Sequence, residues 1–263
     1  MKPVNLTEIN QSFAIQAENF ESKEVNFTKE DYLDHTLSCI APTRQDTVLE
    51  VAAGTCACGR SFAPSVQTVV CLDATLPMLR IGKKEADCSH LSNMVFVKGY
   101  AEELPFLDRS FDIVFSRLAF HHFMDVDTSF SEMVRVLKPG GKLVMIDMEA
   151  ADTKLRDTED NIERLRDPSH VKNMSKAEML SMFAAHGLSI QRCETAEIQQ
   201  RLKSWLALTK TPESVRREIT GLMEMELRGG DIKTGFSPYI ENEEICFDQR
   251  WILIIGKKEN ITT

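Results

Sequence analysis

Two acidic residues at the ends of apolar runs are the residues of this sequence best placed to bind a ligand. Glu50 lies in the run 48–51, and Asp73 directly follows the run 68–72. Both runs indicate buried parallel strands, and ligands of open α/β sheets bind at the carboxyl ends of such strands. The turn 52–56 is made of small residues, which let a ligand approach the backbone closely. An acid about 20 residues beyond such a turn is typical of ribose binding, so the pair predicts a ligand with a sugar and an ammonium group.

A pair of histidines supplies groups suited to acid–base chemistry. His121 and His122 follow the predicted fourth strand, on the side where a second substrate should lie. Because the pKa of histidine is near neutrality, either side chain could act as a general base. The alternative is that one ring packs and bonds locally while the other covers the first ligand. Arg117, which precedes them, could bind an anionic group or form a salt bridge.

Strand-like and helical segments alternate between residues 47 and 148. Apolar residues from Phe130 to Leu137 recur at helical spacing, and the turn 139–141 ends that helix. Such alternation predicts a parallel sheet covered by helices on both faces. The predicted strands of this region are 47–51, 68–72, 94–98, 111–116 and 142–148.

The flanking segments predict a lid and a cap. Amphipathic helices around 13–20 and over 31–40 would close over the ligand or simply pack on the sheet. Later apolar runs predict further strands at 188–195 and 250–256, which would complete the sheet. The predicted organisation is one domain over 1–263, with a helical lid (1–45), a cofactor-binding core (46–150), the rest of the sheet (151–196 and 243–263) and a helical cap (197–242).

Composition and charge argue against several classes of function. The chain has 263 residues, 43% of them hydrophobic, which suits one α/β domain with an insertion. A net charge of −9 argues against nucleic acid as the main partner, because phosphate contacts need a basic surface. No apolar stretch of roughly 18 residues or more occurs, and no apolar signal core begins the chain, so we expect a cytoplasmic protein without a membrane span. A monomer and a homodimer are both compatible with the sequence.

Seven scattered cysteines suit a reducing compartment. Cys56 and Cys58 form a C-x-C pair, but a lone pair without further ligands is not a zinc site. We therefore predict no metal, and we interpret both cysteines as small residues of a strand-to-helix turn.

Five segments in order resemble the motifs of the class I S-adenosylmethionine (SAM) dependent methyltransferases, in particular bacterial small-molecule enzymes of the ubiquinone/menaquinone-biosynthesis type. Any one motif alone would be a weak signal, but five in order over 48–148 are a strong one. The segments are 48–56 (motif I), 72–79 (the acidic second motif), 99–106 (the adenine loop), 110–123 (the fourth strand and its exit) and 135–141 (the turn before the fifth strand).

The resemblance implies a Rossmann-like, doubly wound sheet of seven strands, parallel except for one antiparallel edge strand, with helices on both faces and a small helical cap. It implies SAM as the cofactor, with Glu50 at the methionine end and Asp73 on the ribose hydroxyls. A main-chain carbonyl at Ser116 or Arg117 would face the ammonium group. The remaining implied cofactor-binding residues are Ala52, Gly54, Thr55, Ala74, Met78, Tyr100, Ala101 and Glu102.

Two of the motifs depart from the family pattern. Gly54 alone is glycine where the family usually has three, and Cys56 at the outermost position would narrow the space for the ligand. Tyr100 stands where many members have an aspartate that accepts a hydrogen bond from the adenine amino group. Tyr100 could instead stack on the adenine or donate a hydrogen bond to it, or Glu102 could accept from the amino group. The segment 166–171 resembles a recurrent segment of bacterial relatives, and this implies that His170 enters the acceptor pocket as a third candidate catalytic residue.

The predicted function is therefore SAM-dependent methyl transfer to a small molecule, by in-line displacement, giving S-adenosylhomocysteine. The acceptor atom could be oxygen, nitrogen, carbon or sulfur. One alternative is a non-catalytic SAM-binding protein with a degraded site. A second is an NAD-dependent oxidoreductase, but its G-x-G-x-x-G signature is not present in 52–57.

Overall fold

One mixed sheet of eight strands carries the rest of the molecule in the computed structural model, which describes residues 5–17, 30–150 and 152–260. Its order is β3-β2-β1-β4-β5-β8-β6, and the short β7 pairs with β8. The strands are β1 Thr47–Val51, β2 Thr68–Asp73, β3 Met94–Lys98, β4 Phe111–Arg117, β5 Leu137–Met148, β6 Leu188–Arg201, β7 Tyr239–Glu241 and β8 Glu244–Lys258. The helices are α1 Leu6–Gln16, α2 Glu30–Ile40, α3 Ala57–Phe62, α4 Leu76–Cys88, α5 Val126–Val136, α6 Arg156–Arg166, α7 Lys176–Ala185, α8 Leu202–Leu208 and α9 Glu213–Leu227.

The sequence correctly predicted this fold class. Strands β1 to β5 are parallel, and β8 runs antiparallel to both of its neighbours, β5 and β6. The final strand is antiparallel, as predicted, but β6 lies outside it at the sheet edge. Burial explains this order, because the run from Trp251 to Ile255 is buried on both faces whereas most of β6 is exposed or half-buried. A strand that is apolar on both faces belongs inside a covered sheet, and a polar strand is better tolerated at its edge.

Helices cover both faces of the sheet. Phe130 of α5 and Phe183 of α7 pack against one face, whereas Phe62 of α3 and Ile40 of α2 pack against the other. Helix α7 begins with the predicted capping box, since the backbone N–H of Ser175 donates to the Glu178 carboxylate over 2.7 Å. The two layers of helix bury the apolar strands that the alternating pattern predicted.

The insertion before β8 forms a small cap with its own apolar core. Trp205 of α8, Met223 of α9 and Ile162 of α6 belong to this cluster. Strand β6 continues to Arg201, so the helical insertion begins at Leu202 rather than at residue 197. The difference arises because 196–201 remain paired with the long β8.

The N-terminal segment contributes α1 and α2. Part of the predicted lid helix, 18–20, lies outside the described residues. Among the residues that the structure describes, no helix combines the length and the apolar character needed to cross a bilayer.

The strand order reverses around β1, which has β2 on one side and β4 on the other. In doubly wound sheets the crevice for ligands opens at such a point, above the carboxyl ends of the strands. The register of β1 with β2 pairs Glu50 with Cys71 and Val51 with Leu72, which brings Asp73 to the same edge. The two predicted acids therefore lie at neighbouring strand ends.

Candidate active site

A cleft opens above the carboxyl ends of β1, β2, β4 and β5. Its empty space, counted out to the open mouth, is about 1400 Å³. Helices α1, α6 and α8 contribute walls on the far side from the sheet. Every site residue predicted from the sequence, except Ser116, lines this cleft.

Glu50 is a buried carboxyl group with few partners. Its Oε2 accepts a hydrogen bond from the backbone N–H of Gly59 over 2.9 Å and one from Cys71 Sγ over 3.6 Å. Burial raises the pKa of Glu50 to about 7, although these hydrogen bonds and the nearby Arg117 oppose the rise. A cation placed beside this carboxylate would compensate the cost of keeping it charged away from water.

Asp73 fixes the loop that follows β1. Its Oδ2 accepts from the backbone N–H of Gly54 over 2.8 Å, and its Oδ1 accepts from that of Thr75 over 2.7 Å. Gly54 has a φ of +54°, and no other atom lies within 4 Å of the place where a Cβ would stand. The loop therefore leaves open space beside Gly54, next to Asp73.

Cys56 does not narrow the cleft, contrary to the sequence-based expectation. Its side chain is fully buried, and a Cβ on Gly82 of α4 would come within 2.8 Å of its Sγ. Its side chain packs toward α4, and its backbone is left-handed, with a φ of +59°. Ala52 has a similar φ of +55°, so two family glycine positions keep their backbone conformation without glycine. Cys58 does line the cleft, but burial raises its pKa to about 12, which keeps it a thiol.

At the end of β4 the structure places Arg117 on the cleft and Ser116 within the sheet, and which of the two main-chain carbonyls faces a ligand stays a prediction. Ser116 is fully buried within the sheet, and it does not reach the cleft. Arg117 lines the cleft, where its guanidinium lies 5.4 Å from the centre of the Trp251 ring and 3.7 Å from Cys58 Sγ. The Arg117 guanidinium thus lies against a thiol and an aromatic ring.

The remaining predicted cofactor residues lie together beyond Asp73. Met78 of α4 is buried, and Tyr100 is half-buried on the neighbouring loop. Burial raises the pKa of Glu102 above its ordinary value. The group lining this end of the cleft is Ala74, Met78, Gly99, Tyr100, Ala101 and Glu102.

His121 is paired with Asp147 at the end of β5. The distance from His121 Nδ1 to Asp147 Oδ1 is 2.5 Å. The other oxygen of Asp147 accepts from the backbone N–H groups of Ala119 and Phe120 over 3.1 and 2.6 Å. Burial lowers the pKa of His121, but the Asp147 carboxylate outweighs burial and raises it above its ordinary value. The protonated form of His121 is therefore favoured by its carboxylate partner.

His122 belongs to a different chain of hydrogen bonds. Its Nδ1 lies 3.1 Å from Ser169 Oγ, which in turn donates to Asp167 Oδ1 over 2.6 Å. Gln16 of α1 donates to the other oxygen of Asp167 over 2.8 Å. Burial, reinforced by the nearby His121, lowers the pKa of His122 to about 3. This histidine is neutral at physiological pH.

His170 lies at the same end of the cleft. Its Nε2 is 2.8 Å from Asp160 Oδ1, and the centre of its ring is 5.6 Å from that of His121. The segment is held here because the backbone N–H of Val171 donates to the His121 carbonyl over 2.8 Å. All three candidate catalytic histidines are thus brought together from distant parts of the sequence.

Several polar residues of the site were not predicted from the sequence. Three of these are the aspartates beside the histidines. Asp147 pairs with His121, Asp160 pairs with His170, and Asp167 accepts from Ser169, the hydrogen-bond partner of His122. Asp147 carried a signal that could have identified it, since it lies at the carboxyl end of an apolar strand, as Glu50 and Asp73 do. Asp160 lies on a charged amphipathic helix, where nothing in the pattern separates it from solvated neighbours.

A second group of potential metal ligands lies between α2 and β6. His35 Nε2, Cys39 Sγ and a carboxylate oxygen of Glu194 lie within 4.8 Å of one another. These residues do not line the cleft. Arg192 forms an ion pair with the same carboxylate. The absence of a metal thus stays a prediction.

Comparison with known proteins agrees with this geometry. Residues 49–145 match the family model described as a methyltransferase domain. The uncharacterised methyltransferase YcgJ of Bacillus subtilis strain 168 is 35% identical over 210 residues, which cover 79% of this chain and 82% of YcgJ. The chain therefore belongs to the methyltransferase family, and its fold is that of the class I enzymes.

Particular relatives extend the comparison. The crystal structure of YcgJ superposes with a TM-score of 0.80 at 31% identity, covering 88% of this chain and all of that one. The structure of BH2331 from Bacillus halodurans C-125 also gives 0.80, at 26% identity, with the same coverage of this chain and 100% of its own. A demethylmenaquinone methyltransferase of Renibacterium salmoninarum is 40% identical over 98 residues, but these cover only 37% of this chain and 39% of that enzyme.

Proposed function

We propose that this protein transfers the methyl group of SAM to a small-molecule acceptor and releases S-adenosylhomocysteine. One observation carries the proposal. The buried carboxyl groups of Glu50 and Asp73 lie at neighbouring strand ends, with the open space at Gly54 beside them. This arrangement suits a ligand that has an amino-acid end and a ribose.

The residues of the cleft fit SAM along its length. Glu50, whose pKa is raised by burial, would bind the ammonium group together with the main chain at Arg117. Asp73 would accept from the ribose hydroxyls, and the adenine would lie against Met78 and Tyr100. When bound, SAM supplies an activated methyl group, and the protein supplies binding, orientation and exclusion of water.

The far end of the cleft supports a small molecule as the acceptor. Apolar side chains line this end of the cleft, next to the three histidines. They are Phe13 of α1, Phe123, and Trp205 and Leu208 of α8. The net charge of −9 does not suit a nucleic acid acceptor. A cytoplasmic enzyme, either a monomer or a homodimer, completes the proposal.

Calorimetric titration tests the cofactor directly. SAM and S-adenosylhomocysteine should bind the wild type, and NADH should not. Asp73→Asn should bind SAM at least tenfold more weakly, since a buried charge-assisted contact is worth about 1.5–3 kcal/mol. Glu218→Gln, an exposed change on α9, serves as the matched control. If neither SAM nor its product binds the wild type, the proposal fails.

Turnover separates an enzyme from a protein that only binds SAM. Wild-type protein incubated with SAM and a fractionated metabolite extract should form S-adenosylhomocysteine, which mass spectrometry can quantify. Binding without any product would favour the non-catalytic alternative.

A further inference from the structure

We propose that His122 is the general base of the reaction and that its acceptor is an uncharged, largely apolar molecule with a protonated oxygen nucleophile, an alcohol or a phenol. Ser169 and Asp167 hold His122 in the tautomer that this role requires. The inference rests on the proposed methyl transfer, and it names the acceptor class and the base.

The hydrogen bonds fix the tautomer of His122. The Ser169 hydroxyl lies 2.6 Å from a carboxylate oxygen of Asp167, and a carboxylate can only accept, so the single hydroxyl proton must point to Asp167. Ser169 Oγ can then only accept from His122, over 3.1 Å, and Nδ1 of His122 must carry a proton. In a neutral imidazole the other nitrogen, Nε2, then has the free lone pair.

The position of His122 leaves that lone pair available. Its ring lines the cleft, with Phe13 of α1 edge-on at 4.9 Å and the His121 ring at 4.1 Å between centres. Asn5 donates to the His122 carbonyl over 3.1 Å and so fixes its backbone. Among the residues that the structure describes, no hydrogen bond is made to Nε2.

The other two histidines are less suited to accept a proton. His121 also bonds through Nδ1, but the Asp147 carboxylate raises its pKa and so favours the protonated form, in which Nε2 has no lone pair. His170 uses Nε2 on the carboxylate of Asp160. Of the two histidines that bond only through Nδ1, His122 is the one that burial keeps in the neutral form, with a lone pair on Nε2.

Charge in this part of the cleft selects the acceptor. Arg166, which lines the cleft, donates to the Glu163 carboxylate over 2.9 Å and to the Trp205 carbonyl over 3.0 Å. His121 is likewise paired with Asp147. Arg166 and His121 are thus both paired with carboxylates at this end of the cleft. Asp167 adds a further negative charge, so this end disfavours an anionic acceptor.

The chemistry explains why a weak base is enough. As the acceptor oxygen bonds to the methyl carbon, the carbon–sulfur bond breaks and its electron pair stays on sulfur. The proton on that oxygen becomes strongly acidic in the same step and passes to Nε2 of His122. The positive charge that leaves the sulfonium thus ends on an imidazolium, which Ser169 connects to the Asp167 carboxylate.

Nitrogen-15 NMR of histidine-labelled protein tests the tautomer without any acceptor. In the wild type at pH 7, with and without S-adenosylhomocysteine, His122 should show a protonated Nδ1 and an unprotonated Nε2. Ser169→Ala should let the Nε2–H tautomer become populated. Ser131→Ala is the matched control, because Ser131 Oγ lies 3.0 Å from Nε2 of His186, outside the cleft. An Nε2–H tautomer or an imidazolium at His122 in the wild type would overturn the proposal, whether or not SAM binds.

Turnover with defined acceptors tests the role. The probes are a panel of neutral phenols and alcohols, set against thioethers and tertiary amines, which need no base. The wild type should methylate members of the first set and none of the second. His122→Gln should lose about 10²–10⁴ in kcat while its affinity for SAM stays within twofold, whereas His186→Gln should keep full activity. Methylation of the thioethers or tertiary amines, no methylation of any phenol or alcohol, or full kcat in His122→Gln would each count against the inference. Failure of the wild type to bind SAM would instead refute the proposed function.

Discussion

Replacing Glu50 with glutamine should stabilise the free protein and weaken its binding of SAM. Burial raises the pKa of this carboxyl from 4.5 to about 7. Above pH 7 the folded protein therefore holds a charged carboxylate in surroundings that destabilise the charge. Glutamine has nearly the same shape, is neutral at every pH, and its side-chain oxygen can still accept from the Gly59 N–H. The substitution therefore removes a charge and little else.

The sign and the size follow from proton linkage. A carboxyl group with a raised pKa binds its proton more tightly in the folded state, so its contribution to stability is full below pH 4.5 and is lost as the pH rises toward about 7. The shift from 4.5 to about 7 corresponds to about 3 kcal/mol at pH 8. We expect Glu50→Gln to be more stable than the wild type by up to about 3 kcal/mol at pH 8, and by less than about 1 kcal/mol at pH 5.

SAM binding should move in the opposite direction. The ammonium group of SAM favours ionised Glu50, so protons and SAM compete for this site. With a pKa of about 7 for the free protein, the wild-type affinity should fall about tenfold between pH 8 and pH 6. Glu50→Gln should bind more weakly at pH 8 and should have lost this pH dependence.

Urea denaturation at pH 5 and pH 8, with calorimetric titration of SAM between pH 6 and pH 8, measures both effects. Glu218→Gln controls for the loss of one acidic charge at an exposed position on α9. A glutamine variant that is less stable than the wild type at pH 8 would show that Glu50 is a structural anchor rather than a ligand-binding group. Unchanged SAM affinity at pH 8 would refute the assignment of Glu50 to the ammonium end.

Three further changes probe the surroundings of this site. Gly59→Ala would place a Cβ within 2.6 Å of Cys71 Sγ and 2.7 Å of Glu50 Oε2, so urea denaturation should show that the free energy of unfolding falls by about 1–3 kcal/mol. Gly221→Ala, in open space on α9, is the control and should not lower the free energy of unfolding. Equal losses in the two variants would contradict the reasoning. In Asp147→Asn, the pKa of His121 should fall, because the carboxylate that raises it is gone; histidine NMR would show this, and an unchanged titration would mean that another group holds the proton. Serine at both Cys56 and Cys58 should leave calorimetric SAM affinity largely intact, whereas loss of turnover alone would indicate a role for these thiols in the reaction.

The cofactor side of the cleft was largely predictable because each of its parts is local in sequence. An apolar run followed by small residues specifies both a strand and its exit, so the amino-acid pattern alone places Glu50 and Asp73 at strand ends. Cys56 shows the limit of this reasoning. The pattern gives the size of a side chain at a turn but not the direction in which a left-handed backbone points it.

The acceptor side was less predictable because it is assembled from distant segments. His122 and Ser169 are 47 residues apart, and Gln16 and Asp167 are 151 apart. Periodicity and spacing report on one element at a time, so the histidines were identified as candidates while the carboxylates that set their protonation were not. The segment 166–171 was recognised only by resemblance.

The position of β8 has a consequence for how the chain folds. Strand β8 separates β5 from β6, and it is the last strand along the described chain. Until residues 244–258 have left the ribosome, β5 presents an unpaired edge and β6 has no partner. Such exposed edges are sites of mispairing between chains, so a chain that has not yet added β8 is more prone to aggregate than the complete sheet.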